Sequence, residues 1–158
     1  GKEGKTRTLI VATGASARYL GLKNELRLRG YGVSACATCD GFFFRDQKVV
    51  VIGGGDSACE ESTFLTRFAS EVHLFVRRDV LRASKIMAER ALNHEKIEPI
   101  WNSELTAYHP GEDGKMASVT VRNRGTGVES PREVKGLFIP TWHVPNSGFV
   151  NGLAHLDE

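Results

Sequence analysis

Two cysteines with two residues between them, Cys36 and Cys39, and a carboxylate directly after them at Asp40 make the most reactive stretch of this sequence. That spacing lets the two sulfurs meet in a small ring that opens and closes easily, which suits redox exchange better than structural stapling. Asp40 stands where it could move protons during such exchange. Zinc is the competing chemistry, but it needs a second pair of ligands. Cys59 and the scattered His73, His94, His109, His143 and His155 supply no recognisable pair, so no metal site is expected. Cys59 stands alone on an apolar stretch and reads as buried filler. Phe42, Phe43 and Phe44 follow the dithiol. Three aromatics in a row cannot all face one core, so at least one is expected on the surface. A face for a protein partner and a core-and-turn role both stay open.

A second constellation lies downstream. Gly53-Gly54-Gly55-Asp56-Ser57-Ala58 fits G-x-G-x-x-A between an apolar run and a helical one. Gly53 allows a tight turn, Gly55 lets a pyrophosphate approach the backbone, and small Ala58 lets helix pack on strand. The helix start then offers free N–H groups to phosphates. A site for NAD would end the next strand on Asp or Glu, to hold the ribose 2′-hydroxyl. Here Arg77 and Arg78 stand there, with Arg82 expected one helical turn on. Guanidinium groups bind a 2′-phosphate through charge-assisted bonds, so the cofactor should be NADPH.

The elements that must position these groups follow from pattern. Thr8–Ala12 reads as a buried strand ending at Thr13-Gly14, and residues 15–35 as connecting loop. Lys48–Ile52 is a β-branched strand, followed by a helix from Asp56-Ser57 to about Ala69. Glu71–Val76 is the next strand. A helix from about Leu81 to Leu92 should place Ala83, Ile86, Met87 and Arg90 on one face. Ile97–Trp101 closes the series, with Pro99 marking an edge or an irregular end. This is a βαβαβ unit of the Rossmann-like, doubly wound α/β kind. Glu104–Tyr108 and Ser118–Arg122, with turns at residues 110–114 and 125–127, predict an antiparallel β-meander. Gly136–Ile139 should return to the main sheet.

Composition excludes several classes. Net charge is +2, from 21 basic and 19 acidic side chains, which gives no electrostatic case for nucleic acid or an anionic membrane as partner. No apolar run approaches the roughly 20 residues of a membrane helix. The polar, basic opening makes a signal peptide unexpected. Three cysteines do not make a secreted disulfide framework, so a reducing compartment, the cytoplasm, is the expectation.

Together the stretches from Ser34 to Asp46, Gly53 to Ala58, Arg77-Arg78-Asp79 and Arg82 to Lys85 closely resemble the low-molecular-weight thioredoxin reductases. The resemblance covers nearly the whole chain, and a dithiol set before the NADPH fingerprint is highly specific to that family. It implies that NADPH reduces FAD, the flavin reduces the disulfide, and the dithiol reduces thioredoxin. By position it places Cys39 against the flavin and Cys36 as the attacking thiol, with Asp40 as acid–base group. Gly53, Gly55, Asp56 and Ser57 would surround the pyrophosphate, and Arg77, Arg78 and Arg82 would hold the 2′-phosphate. Phe42–Phe44 would lie where thioredoxin docks, and the whole enzyme would be a homodimer.

Departures from that pattern matter too. Val76 stands where the family commonly has histidine, which should soften nucleotide affinity. Trp142 replaces a glycine just before His143, setting a large ring where backbone should approach closely. The family's own flavin-binding glycine motif and its closing glycine–aspartate segment do not occur in this sequence. The expected organisation is therefore a flavin-domain remnant and linker over residues 1–19, an NADP(H)-binding domain over 20–143, and the start of a return to the flavin domain over 144–158. Two alternatives remain at this stage: a nucleotide-binding fragment without catalysis, which alone would bind no FAD, or a related flavoprotein reductase serving another disulfide partner.

Overall fold

The structure is a computed structural model that describes residues 4–140, 143–150 and 152. The chain divides into a small unit of residues 1–18 and 142–158 and a larger unit of residues 19–141. In the small unit, β1 (Ala15–Ala17) pairs antiparallel with the strand His143–Pro145, the last among the described residues. Asn146 locks that pair through its amide, which donates to the Thr13 carbonyl at 3.1 Å. Thr8–Ala12 forms no strand, and Leu9 and Ile10 are 76% and 90% exposed. An apolar run becomes a buried strand only when neighbouring strands satisfy its backbone, and among the described residues none pairs with it. Trp142 and Thr141 lie outside the described residues.

The larger unit is built on one parallel sheet. Its elements are α1 (Glu25–Leu28), β2 (Val33–Ser34), α2 (Ala37–Asp40), β3 (Lys48–Ile52), α3 (Asp56–Leu65), β4 (Glu71–Phe75), α4 (Lys85–Leu92) and β5 (Ile97–Ile100). They continue with β6 (Ser103–Pro110), β7 (Met116–Asn123), β8 (Glu129–Glu133) and β9 (Gly136–Phe138), so the strand of the small unit is β10. The sheet order is β2-β9-β3-β4-β5, all parallel, and β6-β7-β8 form the antiparallel meander. Residues 15–35, expected as loop, hold β1, α1 and β2. These elements are two to four residues long, too short to leave a period in sequence.

Alternation explains the two cores. Val49 and Val51 point to one face of the sheet with Val72 and Leu74, under α3 and α4. Val50 and Phe75 point to the other face and meet Leu105, Tyr108, Val119 and Val121 of the meander. A strand buried on both faces reads as a continuous apolar run, as Val49-Val50-Val51 does. Each such side chain contributes roughly 1.5–3 kcal/mol on burial. Pro99 sits on the outermost strand, β5, where a missing ladder donor is tolerated.

Helix boundaries differ from expectation on both sides of β4, at the end of α3 and the start of α4. α3 stops at Leu65, and the Thr66 hydroxyl turns back onto the Thr63 carbonyl at 2.7 Å. α4 begins only at Lys85, and its Ile86 is 64% exposed rather than part of a packed face. The cause lies in the preceding loop. The N–H groups of Arg82 and Ala83 both donate to the Gly54 carbonyl, at 2.6 and 3.1 Å, which keeps residues 78–84 as a bent, non-helical loop tied to the glycine turn. Among the described residues, no helix is long and apolar enough to cross a membrane.

Candidate active site: a disulfide and a glycine turn on one sheet

The dithiol follows β2. Cys36 and Cys39 are joined as a disulfide with their Cα atoms 5.3 Å apart, and Cys36 caps the one-turn helix α2. The Ser34 hydroxyl donates to the Asp40 carboxylate at 2.6 Å and accepts from the Cys36 N–H at 3.0 Å. Asp40 is thus held on the disulfide turn by a residue that carries no sequence signal of its own. Cys36 and Asp40 are half-buried, whereas Cys39 is exposed. The Phe42-Phe43-Phe44 run splits as expected: Phe42 and Phe43 are 60% and 72% exposed, while Phe44 packs edge-on against Phe138. Arg45 lies 5.3 Å over the Phe42 ring. Cys59 is fully buried and free, and burial raises its thiol pKa, which keeps it protonated and inert.

The glycine turn joins β3 to α3. Gly53 has φ +141, a conformation an L side chain rarely adopts, and its N–H donates to the Phe75 carbonyl at 3.0 Å. Gly54 lies so close to Val76 that an added Cβ would sit 3.0 Å from the valine Cγ1. Val76, 3% exposed, therefore supports the underside of the turn. Gly55 caps α3, and a Cβ there would meet nothing within 4 Å. The open space lies where a pyrophosphate would need backbone, so the residues fit a dinucleotide at the carboxyl ends of the strands. Asp56 accepts from both the N–H and the hydroxyl of Ser84, at 2.8 and 2.9 Å, and so ties the arginine loop to α3.

Arg77 and Arg78 follow β4 after Val76, and with Arg82 they are exposed. Arg82 is not one helical turn from Arg78, because the segment between them is a bent loop pinned to Gly54. Among the described residues, no carboxylate pairs with any of these three guanidinium groups. Arg124, in the β7–β8 hairpin, was not singled out by sequence. Its guanidinium donates to the Arg77 carbonyl at 3.1 Å and fixes the backbone there.

At the opposite ends of the strands, Glu71, His73 and Glu98 bring three ligand-type atoms within 4.8 Å of one another. Cross-strand pairing of His73 with Glu98 makes the group, which sequence spacing does not show. Lys48 pairs with Glu71 at 2.6 Å and His73 hydrogen-bonds the same carboxylate at 2.7 Å, so Glu71 is held by partners within the protein.

The pyridine nucleotide-disulphide oxidoreductase family model matches residues 1–155. The chain belongs to that family. It is 53% identical to a thioredoxin reductase of Mycolicibacterium smegmatis over 98% of this chain and 49% of the relative, and 50% identical to one of Streptomyces coelicolor over 97% and 47%. The crystal structure of Lactococcus lactis thioredoxin reductase in its FR conformation superposes with a TM-score of 0.85, at 44% identity over 92% of this chain and 48% of that one. The chain spans about half the length of the curated relatives it matches. The expected α/β fold, with a parallel sheet and antiparallel strands, is that of this family's solved structures.

Proposed function

We propose that this family member is the NADPH-binding, dithiol-bearing part of a thioredoxin-disulfide reductase. The observation that carries the reading is the Cys36–Cys39 disulfide beside Asp40, borne by the same parallel sheet as a phosphate-ready glycine turn. When bound, NADPH supplies hydride and FAD relays the electron pair to the disulfide. The Gly53–Ser57 turn would bind the pyrophosphate through backbone N–H groups, and Arg77, Arg78 and Arg82 would clamp the 2′-phosphate. Reduction of the Cys36–Cys39 bond takes two electrons and leaves a thiolate for attack on thioredoxin's disulfide. Cys39 would be the sulfur on the flavin side and Cys36 the attacking one, and Asp40 would give and take the proton.

The exposed Phe42 and Phe43 rings, with Arg45 beside them, support docking of thioredoxin next to the disulfide. Residues 20–143 would form the NADP(H) domain, flanked by flavin-domain segments at residues 1–19 and 144–158. The whole enzyme would be a cytoplasmic homodimer. The test is NADPH-driven reduction of thioredoxin by the full-length protein, beside other disulfide substrates. Turnover of another disulfide protein with none of thioredoxin would assign a different partner, and no turnover of any disulfide would reject the reading.

A further inference from the structure

The dithiol helix does not stand free. It lies along α3, with Ala37 at Glu61 and Gly41 one turn on at Leu65. A Cβ at Gly41 would sit 3.0 Å from the Leu65 Cδ2, so the missing side chain permits the close approach. Closeness leaves the Glu61 carboxyl beneath the first turn of α2, near the Ala37 amide, with its Oε2 buried and without a hydrogen-bond partner. An ionised carboxylate with a dry, unpaired oxygen is unfavourable, and more so when a second negative charge forms beside it.

We propose that Glu61 is a positioning residue for the dithiol, taking up a proton when the Cys36–Cys39 bond is reduced and thereby setting how that couple responds to pH. This rests on the proposed redox role of the pair. Two electrons break the S–S bond, one proton gives a thiol, the other sulfur stays thiolate, and a further proton from water neutralises Glu61. Burial pushes the Glu61 pKa up to about 7, with Glu60 adding to the rise and the Ala37 amide opposing it. Other charges on the packed elements are occupied elsewhere. Asp40 of α2 bonds Ser34, and Lys85 and Glu89 of α4 pair with each other at 3.9 Å, with Arg90 exposed beyond them. Lys48 and His73 both bond Glu71 on the sheet's other face.

The experiment equilibrates full-length wild type and Glu61→Gln with glutathione buffers across the neutral range, and reads Cys36 and Cys39 by alkylation and mass. Below about pH 6 both carry a neutral group, and their equilibria should coincide. Above about pH 8 only wild type carries the charge, so the variant should hold its dithiol reduced by about threefold or more. Parallel curves at all pH values would overturn the proposal. A pair that never cycles in either protein would instead overturn the redox role itself. Should the variant not fold, carboxyl-carbon NMR of wild type decides: a higher Glu61 pKa in the reduced than in the oxidised state is expected, and equal values would overturn the proposal.

Discussion

The glycine turn after β3 is held by backbone, and the dithiol after β2 by side chains. At the turn, the Gly54 carbonyl accepts two N–H groups from the arginine loop, and Gly53 reaches Phe75 through main chain alone. At the dithiol, a serine hydroxyl holds Asp40, and the half-buried Glu61 carboxyl, with one oxygen fully enclosed, lies beneath the first turn. The difference separates two kinds of sensitivity. A backbone cradle responds to added atoms and hardly to pH, whereas a side-chain site responds to charge and therefore to pH.

The largest expected effect breaks the dithiol alone. Cys36→Ser in the full-length enzyme should reduce NADPH-driven disulfide turnover to background while leaving NADPH affinity, read by calorimetry, unchanged. Loss of both together would mean the two sites are not separable. Next, Arg77→Ala with Arg78→Ala should erase most of the preference for NADPH over NADH. Each charge-assisted contact is worth about 1.5–3 kcal/mol, so a loss of about tenfold or more in the affinity ratio is expected. An unmutated protein that binds both nucleotides equally would remove the 2′-phosphate assignment.

A subtler change sharpens the contrast. Gly55→Ala adds a methyl group that meets nothing in the protein, at an ordinary φ of −96. Its melting temperature should stay within about 2 °C of wild type, while nucleotide binding weakens through the lost approach of backbone to pyrophosphate. Weakened folding with intact binding would show that the open space is not the cradle.

The smallest effect is on stability and pH. The folded Glu61 carboxyl keeps its proton to about pH 7, above its ordinary value of 4.5. Between those values the unfolded chain ionises this group and the folded chain does not, so its contribution to stability declines as pH rises through that window. Glu61→Gln should flatten that decline, seen as a gain in melting temperature over wild type at pH 8 that is absent at pH 4.

What sequence reveals divides along the same line. Lys48–Ile52, three glycines and Ala58 spell out strand, turn and helix because each constraint is local and fixed by residue type. The C-x-x-C with Asp40 is legible for the same reason. The start of α4 is not, since it depends on the Gly54 carbonyl and Asp56 capturing a loop some 28 residues away in sequence. Thr8–Ala12 misleads because apolar content says nothing of which strand will pair with it. Glu61 and Arg124 stay invisible until α2 lies on α3 and the β7–β8 hairpin reaches Arg77.

The measurement closest to the central claim counts thiols in the full-length enzyme before and after one equivalent of NADPH, without oxygen. Alkylation and mass analysis should find two new thiols, at Cys36 and Cys39, with Cys59 unchanged, and oxidised thioredoxin should remove both. A Cys36–Cys39 disulfide that stays closed under NADPH, in a protein that holds its flavin, would contradict the account.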